Sequence, residues 1–512
     1  MIQKYDIVVV GAGNAGMVAA LECAKAGKKT LLIEQHNLPG GCATSFVRGR
    51  FEFEPALHEL VDVGNTNTWG EIGDLMRSYH VDVDWRQVPE CFRAVGTFSD
   101  GSPLDATMPV GTDDFIDAME EAVPGCRESV TKCFDLMAEV ANGTRMLGKL
   151  KPQELMQQFP NFAAVAAAPT EDVWNALGVP QNAQDIMGAY WGYLGVSLDK
   201  LAFSHYSNML YHLIKKRSYI PAHTSHEISC AMIERFREMG GEVWFNCRAE
   251  EFLFNGDRLC GVKTTAGVIP CDYVLANINP DIIYGKMMPK ELVPEREKKL
   301  SAARDRKYSA RCFTVYFGLN KSAEELGIKE YCIDVNNTSD SRTEYAKVFE
   351  PFEDKTKSVV FLCGNLASSE ASPKGTAVGF FTTMHGPEEW SNVTPEEYMK
   401  LKNRYAKYYI EKTKELCGID IGPYIEEVCV ATPWTFARYI GTPEGAVYGY
   451  ETRDWDAMSA RMAMVDTDYP IKGLCPIGAA GPRGDGYSSA YVTGRMIAKL
   501  ALKRLAEEGG AQ

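Results

Sequence analysis

The chain has 512 residues, 45% hydrophobic and 24% charged, a globular composition with more chain than one ordinary core absorbs; two or three domains of about 100–200 residues each are expected. A formal net charge of −14, with no Lys/Arg-rich run, excludes nucleic acid as a main partner and works against binding to an anionic membrane surface. Fifteen cysteines, an odd number without a CxxC pair, fit neither a disulfide framework nor a zinc site, and point to reduced thiols in a cytoplasmic protein.

The chain opens MIQKYDIVVVGAG, with structure expected from residue 5 and no signal-peptide pattern before it. YDIVVV is a short β-branched run, so a buried strand. GAGNAG follows as a turn, and MVAALECAKAG has helical apolar spacing closed at Gly27. KKTLLIE is a second buried strand, and strand–turn–helix–strand is the opening of a parallel βαβ layer. Residues 51–220 are mixed, with helical stretches at Thr112–Ala122 and Val130–Leu150. The aromatic-rich run at 190–213 fits core better than a ligand tunnel, although Gly192 and Gly195 leave a tunnel open.

Parallel-sheet grammar returns at 226–280: an amphipathic helix closed by Gly240, short strands turning at NGD and TAG, and the buried strand DYVLAN. Residues 281–430 are mixed again, with strand-like RCFTVYFGL (311–319) and SVVFLCG (358–364). The end, GLCPIGAAGPRGDGYSSAYVTGR, reads as a strand, a glycine-rich turn and a helix running to the C-terminus. The two kinds of segment alternate, so an α/β architecture of interleaved domains is expected. No apolar stretch nears the roughly 20 residues that span a bilayer, which leaves at most shallow contact with a membrane surface.

GAGNAG places Gly11, Gly13 and Gly16 as GxGxxG. The first glycine permits a tight turn, the second lets backbone approach a pyrophosphate, and the third lets helix and strand pack closely. The helix N-terminus offers N–H groups and the positive end of its dipole. The motif alone is weak, since an ordinary βαβ turn can match it. Here it follows a strand and opens a helix, and Glu34 ends the next strand eighteen positions after Gly16, where an acid binds ribose hydroxyls. Dinucleotide binding is the reading.

A pair of glycines at 40–41, one such fingerprint in the whole chain and a distant glycine-rich turn at 478–486 together resemble FAD enzymes related to phytoene desaturases, carotenoid isomerases, amine oxidases and Rab GDP-dissociation inhibitors. Within that group the chain is most similar to the phytoene desaturase and retinol saturase branch. The carrying blocks are EQH-x3-GGC-x2-SF, FEF-x3-LH at 51–58, SYIPAHTSHEI at 218–228, TPWTFARYIGTPEGAVYG at 432–449 and the closing motif at 473–495. The resemblance implies a Rossmann-like FAD-binding domain (1–80, 220–290, 455–512) interleaved with an α+β substrate-binding domain (81–219, 291–454).

It also implies site residues. Gly11, Gly13, Ala15 and Gly16 would serve the pyrophosphate, and Glu34 with Gln35 the adenosine ribose. Gly40, Gly41, Cys42 and Ala43 would pass the flavin end, and Ala249 would meet the adenine. Gly478 and Ala479 would complete the phosphate site, with Asp485, Gly486 and Tyr487 by the pyrimidine edge of the isoalloxazine. Bottom-up, a helix starting near Tyr487 aims its N–H groups at charge on a reduced flavin. Many relatives carry Arg after the glycine pair where this chain has Cys42, so one phosphate-side cation is expected to be missing or to be replaced by Arg48, Arg50 or Arg483. Ala222–His226 replaces a glycine-richer segment, which puts contacts there in doubt.

For catalysis the candidates are His58, Arg438 and Tyr448. His223 and His226 are weighed as proton donors against capping and surface roles, because imidazole suits proton transfer near neutrality. Cys42 as a redox thiol is set aside for want of a resolving cysteine nearby. The implied chemistry is hydride exchange between flavin N5 and a C–C or C=C bond of an apolar, elongated substrate: a polyene, an isoprenoid or an unsaturated fatty acid. An external electron donor or acceptor is required, since no second dinucleotide fingerprint occurs. The likeness at GGC and LH leans toward reduction or isomerisation. Amine oxidation, and a non-catalytic prenyl or lipid carrier, are the alternatives. Oligomeric state is not legible.

Overall fold

The first strand, Tyr5–Val10, is apolar beyond Asp6 because both its faces are covered: Ile7 and Val9 enter one core layer, and Val8 and Val10 enter another. The computed structural model describes residues 2–64, 70–147, 149–303, 308–350, 358–451, 471–479 and 481–509. Five parallel strands lie in the spatial order Glu242–Trp244, Thr30–Ile33, Tyr5–Val10, Gly267–Ala276 and Leu474–Pro476. In chain order that is third, second, first, fourth, fifth. The winding therefore reverses between Tyr5–Val10 and Gly267–Ala276, and a crevice opens beyond the strands' C-terminal ends. Strand Gly267–Ala276 serves three partners: Gly267–Pro270 pairs antiparallel with Gly261–Thr264, and the rest runs parallel to the first strand on one edge and to Leu474–Pro476 on the other.

Helix Asn14–Lys25 follows the glycine loop, and helix Tyr487–Gly509 packs across it. The crossing is close: a Cβ on Gly494 would stand 2.3 Å from the Ala15 carbonyl oxygen. Helix Ser225–Glu238 covers the same face, and Gly240 closes it as read.

A second, seven-stranded sheet carries the other half of the chain, in the order Ile425–Ala431, Arg311–Leu319, Ala377–His385, Val359–Cys363, Cys332–Val335, Phe92–Thr97 and Pro103–Met108. RCFTVYFGL shows how it is layered. Phe313, Val315, Phe317 and Leu319 face the long helix Pro395–Cys417 through Tyr405 and Tyr409. Cys312, Thr314 and Tyr316 face the opposite way, into a cavity. A helical cap, including Thr112–Ala122, Arg127–Met146 and Phe203–Lys216, closes over that inner face. The second of these helices starts three residues before the expected Val130 because Cys126 and Arg127 join its first turn. The expected boundary at residue 455 lies outside the described residues.

Candidate active site

Where the winding reverses, the loop after the first strand meets the ends of strands Gly267–Ala276 and Leu474–Pro476. The three glycines of GAGNAG have no room for side chains. A Cβ on Gly11 would stand 2.7 Å from the Asn277 carbonyl oxygen, one on Gly13 2.8 Å from Asn277 Nδ2, and one on Gly16 1.9 Å from the Gly11 carbonyl oxygen. Gly478 closes on the same side chain, with a Cβ only 2.5 Å from Asn277 Oδ1. Asn277 is thus the hub of the glycine loops, and sequence reasoning missed it. The only signal was an amide ending a buried strand. Gly13 at the N-cap has no side chain to cap helix Asn14–Lys25, so among the described residues its first-turn N–H groups stay available to an anion.

Glu34 reaches back to this loop. Its Oε2 accepts from the Ala12 N–H at 2.7 Å and its Oε1 from the His36 N–H at 2.9 Å. The glycine pair lies against the same loop: the Gly40 N–H donates to the Ala12 carbonyl at 2.8 Å, and a Cβ on Gly41 would come within 3.3 Å of Gly13 Cα. Gly40 needs its φ of 123°, and a Cβ there would meet the Ala43 carbonyl at 2.6 Å.

From here one cavity of about 1460 Å³ runs into the second half of the molecule. That exceeds the roughly 300–1,000 Å³ of a drug-sized site. Gly11, Gly13, Ala15, Glu34, Gln35, Gly40, Gly41, Cys42, Ala249, Gly478, Ala479, Asp485, Gly486 and Tyr487 all line it. Gly16 and Ala43 lie behind its wall, buried. The first turn of helix Tyr487–Gly509 lines it through Ser488, Ser489 and Ala490, and the Tyr487 hydroxyl donates to the Cys42 carbonyl at 3.3 Å. Burial pushes the Cys42 thiol up to about 11, so it is neutral at physiological pH. Arg483 also lines the cavity; its Nη2 reaches Glu71 Oε2 at 3.4 Å and its Nε is buried without a partner among the described residues. Arg50 is committed elsewhere, to both oxygens of Glu426.

The far chamber is apolar and aromatic. The run at 190–213 both packs and lines: Tyr190 and Tyr206 are core, whereas Gly192, Tyr193, Leu194, Leu201 and Met209 face the cavity. The core reading of this segment is corrected to a shared one. A 3₁₀ turn at 189–194 and a helix at 203–216 present different faces than one continuous helix would.

His58 stands in this chamber. Its Nδ1 shares a hydrogen bond of 2.7 Å with the Tyr193 hydroxyl, and its ring lies against Phe380. Burial pulls the imidazole down to about 3, so it stays neutral. Beside it, Glu59 accepts from the Tyr190 hydroxyl at 2.7 Å and the Ser218 hydroxyl at 2.6 Å, and burial raises its carboxyl to about 7. Tyr448 lines the cavity against Gly195, and His226 lines it too.

Two sequence candidates are not brought here. Arg438 is exposed and stacks over Tyr439, while its helix Pro433–Ile440 turns Thr435, Phe436 and Ile440 to the cavity. His223 is exposed beside the Glu370 carbonyl.

This donor set fits FAD: backbone amides and a helix N-terminus for a pyrophosphate, a carboxylate for ribose, and a long second compartment. Residues 6–86 match the family model described as FAD dependent oxidoreductase. Over 504 residues the chain is 25% identical to the all-trans-retinol 13,14-reductase of Danio rerio, covering 92% of the chain and 82% of that protein. It is 22% identical over 508 residues to the 1-hydroxycarotenoid 3,4-desaturase of Flavobacterium sp. (strain P99-3), covering 96% and 98%. It is 20% identical over 528 residues to the chloroplastic prolycopene isomerase of Daucus carota, covering 97% and 80%. A putrescine oxidase structure superposes with a TM-score of 0.64 at 13% identity, covering 98% of the chain and 100% of the other; that likeness shows the fold alone. The chain is an FAD-dependent oxidoreductase, related over most of its length to retinol reductases, carotenoid desaturases and prolycopene isomerases.

Proposed function

We propose that this protein acts on a C–C or C=C bond of an apolar, elongated substrate, a polyene, isoprenoid or unsaturated fatty acid, with reduction or isomerisation favoured over desaturation. The observation that carries the reading is the single cavity joining the glycine cradle to a chamber walled by Leu57, Tyr193, Leu201, Met209 and Phe380. Bound FAD supplies hydride exchange at its N5. The chain's own residues do the rest. Gly11, Gly13, Ala15 and the helix N-terminus hold the pyrophosphate, Glu34 and Gln35 the ribose, and Ala249 the adenine end. Gly478 and Ala479 add to the phosphate site. Asp485, Gly486 and Tyr487 flank the ring's pyrimidine edge, with Gly40, Gly41 and Cys42 opposite. Tyr448 walls the chamber and excludes water.

The proton at the substrate carbon is assigned to the His58–Tyr193 pair. A neutral imidazole gives a proton from one nitrogen as the Tyr193 hydroxyl passes its own to the other, and water admitted on product release returns a proton to the Tyr193 oxygen. The electron partner is external. The division into a cofactor part (1–80, 220–290, 455–512) and a substrate part (81–219, 291–454) belongs to the same proposal. So does a cytoplasmic location with shallow membrane contact. It draws on fifteen free thiols and on the exposed Val47 and Tyr439 at the cavity rim; among the described residues no helix is long and apolar enough to cross a membrane.

The test is anaerobic. FAD-loaded protein reduced with dithionite should be reoxidised by polyenes, or should isomerise them, with products identified by chromatography. Flavin reduction by amines but not by lipids would replace this reading with amine oxidation. Colourless protein that FAD cannot reconstitute would favour the carrier.

A further inference from the structure

Strand Cys332–Val335 carries one residue out of keeping with its surroundings. Ile333 and Val335 face the layer under helix Pro395–Cys417, so Cys332 and Asp334 face the cavity side. Asp334 is 4% exposed, lines the cavity, and its Oδ2 is buried without a hydrogen-bond partner among the described residues. Buried carboxyl oxygens are almost always paired, so an orphan bordering a cavity points to a ligand.

Its neighbours are otherwise engaged. The Tyr190 hydroxyl serves Glu59 and the Cys91 carbonyl, and Tyr193 serves His58. Asp334 feels burial and the nearby Glu59, both of which raise its carboxyl well above the usual range and favour its protonated form. A protonated carboxyl is one donor with acceptor capacity to spare, matched to a hydroxyl or a carbonyl.

Register supplies the distance. Thr314, Thr382, Val360 and Asp334 lie side by side across the inner face, and the two threonine hydroxyls bond each other at 3.0 Å. Strand Arg311–Leu319 is the cofactor-side member, its Cys312 thiol lying near enough to Cys42 to interact electrostatically. Three strand spacings of about 4.8 Å put Asp334 about 14 Å from that strand.

We propose that Asp334 anchors an uncharged hydroxyl or carbonyl of the elongated substrate, deep in the chamber beside the His58–Tyr193 pair, and so sets which apolar chains the enzyme accepts and in what register they lie. The proposal rests on the apolar-substrate reading above. A site built to bond such a group discriminates strongly against the analogue that lacks it, because its own polar atom is then left unpaired.

The experiment uses FAD-loaded protein and reads binding as a perturbation of the flavin absorption spectrum. The probes are all-trans-retinol, all-trans-retinal, retinylamine and the hydrocarbon with a methyl group in place of the hydroxymethyl. The wild type should prefer the alcohol or the aldehyde to the hydrocarbon by at least about tenfold. Asp334→Leu should erase that preference while keeping its FAD and binding the hydrocarbon at least as well as before; Asp334→Asn should keep it in part. If Asp334→Leu does not fold, Asp334→Asn and the wild-type series still decide. Equal binding of alcohol and hydrocarbon by the wild type, or preference intact in Asp334→Leu, overturns the anchor while leaving the apolar substrate standing. Preference for the amine overturns it through a charged partner. Failure of every probe to bind the yellow protein overturns the substrate reading and the anchor together.

Discussion

Glu34 gives the sharpest test of the cofactor site, because its two oxygens are already in use. Oε2 holds the Ala12 N–H at 2.7 Å and Oε1 the His36 N–H at 2.9 Å. Each carboxylate oxygen has a second lone-pair direction, and those directions are what a ribose diol would meet. Removing a charged acceptor from a hydroxyl costs about 1.5–3 kcal/mol, so Glu34→Ala should weaken FAD binding by about 10- to 150-fold. The structure adds a result that a ribose contact alone would not produce. In Glu34→Gln one oxygen becomes an NH2, and whichever way the amide turns, that NH2 faces a backbone N–H. Glu34→Gln should therefore bind FAD no better than Glu34→Ala, although it keeps an acceptor. The assay is fluorescence-quenching titration of apoprotein with FAD, alongside thermal unfolding of each apoprotein. FAD affinity within twofold of wild type in Glu34→Ala would refute the ribose assignment and leave Glu34 a staple between two loops. A near-wild-type Glu34→Gln would refute the account of its hydrogen bonds.

Gly16→Ala puts a Cβ 1.9 Å from the Gly11 carbonyl and should give little folded, flavin-bearing protein, read as soluble yield and the flavin-to-protein absorbance ratio. Glu59 rises from an ordinary 4.5 to about 7 on folding. The folded state then keeps a proton that the unfolded chain releases above about pH 4.5, so this contribution is full at low pH and is lost as pH rises through 7. Glu59→Gln should flatten the fall in melting temperature between about pH 4.5 and 7. His58 behaves oppositely. Held down to about 3, it stays neutral in the fold while the unfolded chain protonates below about 6.5, so stability falls as pH drops from there. Its titration should not shape activity near neutrality, and an acid limb near pH 6.5 that vanishes in His58→Gln would contradict the assignment. Tyr193→Phe should slow product formation in single-turnover mixing while FAD content stays unchanged. Arg483→Leu should lower FAD affinity by about 1.5–3 kcal/mol, the scale of a lost bond to a charged group.

The cofactor end was legible because its signal is local. A strand, three glycines, a helix and an acid at the next strand's end specify the cradle within thirty-four residues. Asn277 and Asp334 were not legible, because both owe their place to long-range pairing. Asn277 enters the cradle only because Gly267–Ala276 lies beside Tyr5–Val10. Asp334 faces the cavity only because CIDV pairs between Val359–Cys363 and Phe92–Thr97 with its apolar members turned the other way. Arg438 shows the reverse error. Its motif does sit at the cavity, but Phe436 and Ile440, four residues apart, take the inward face, and a residue two positions on from Phe436 points to the far side.

Cys42 stands where many of the wider group of relatives carry an arginine, and its neutral thiol cannot supply a positive charge. The cavity nonetheless has a guanidinium. Arg483 enters from the other end of the sequence, on the glycine-rich turn leading to helix Tyr487–Gly509. Glu71 takes one of its nitrogens, and its buried Nε stays unused. A cofactor phosphate needs a cation at a point in space, and no particular position in the chain is obliged to deliver it. With Arg483 in place, residue 42 needs only to be small enough for the turn that presses Gly41 against Gly13 and to leave its carbonyl for Tyr487, and cysteine meets both conditions.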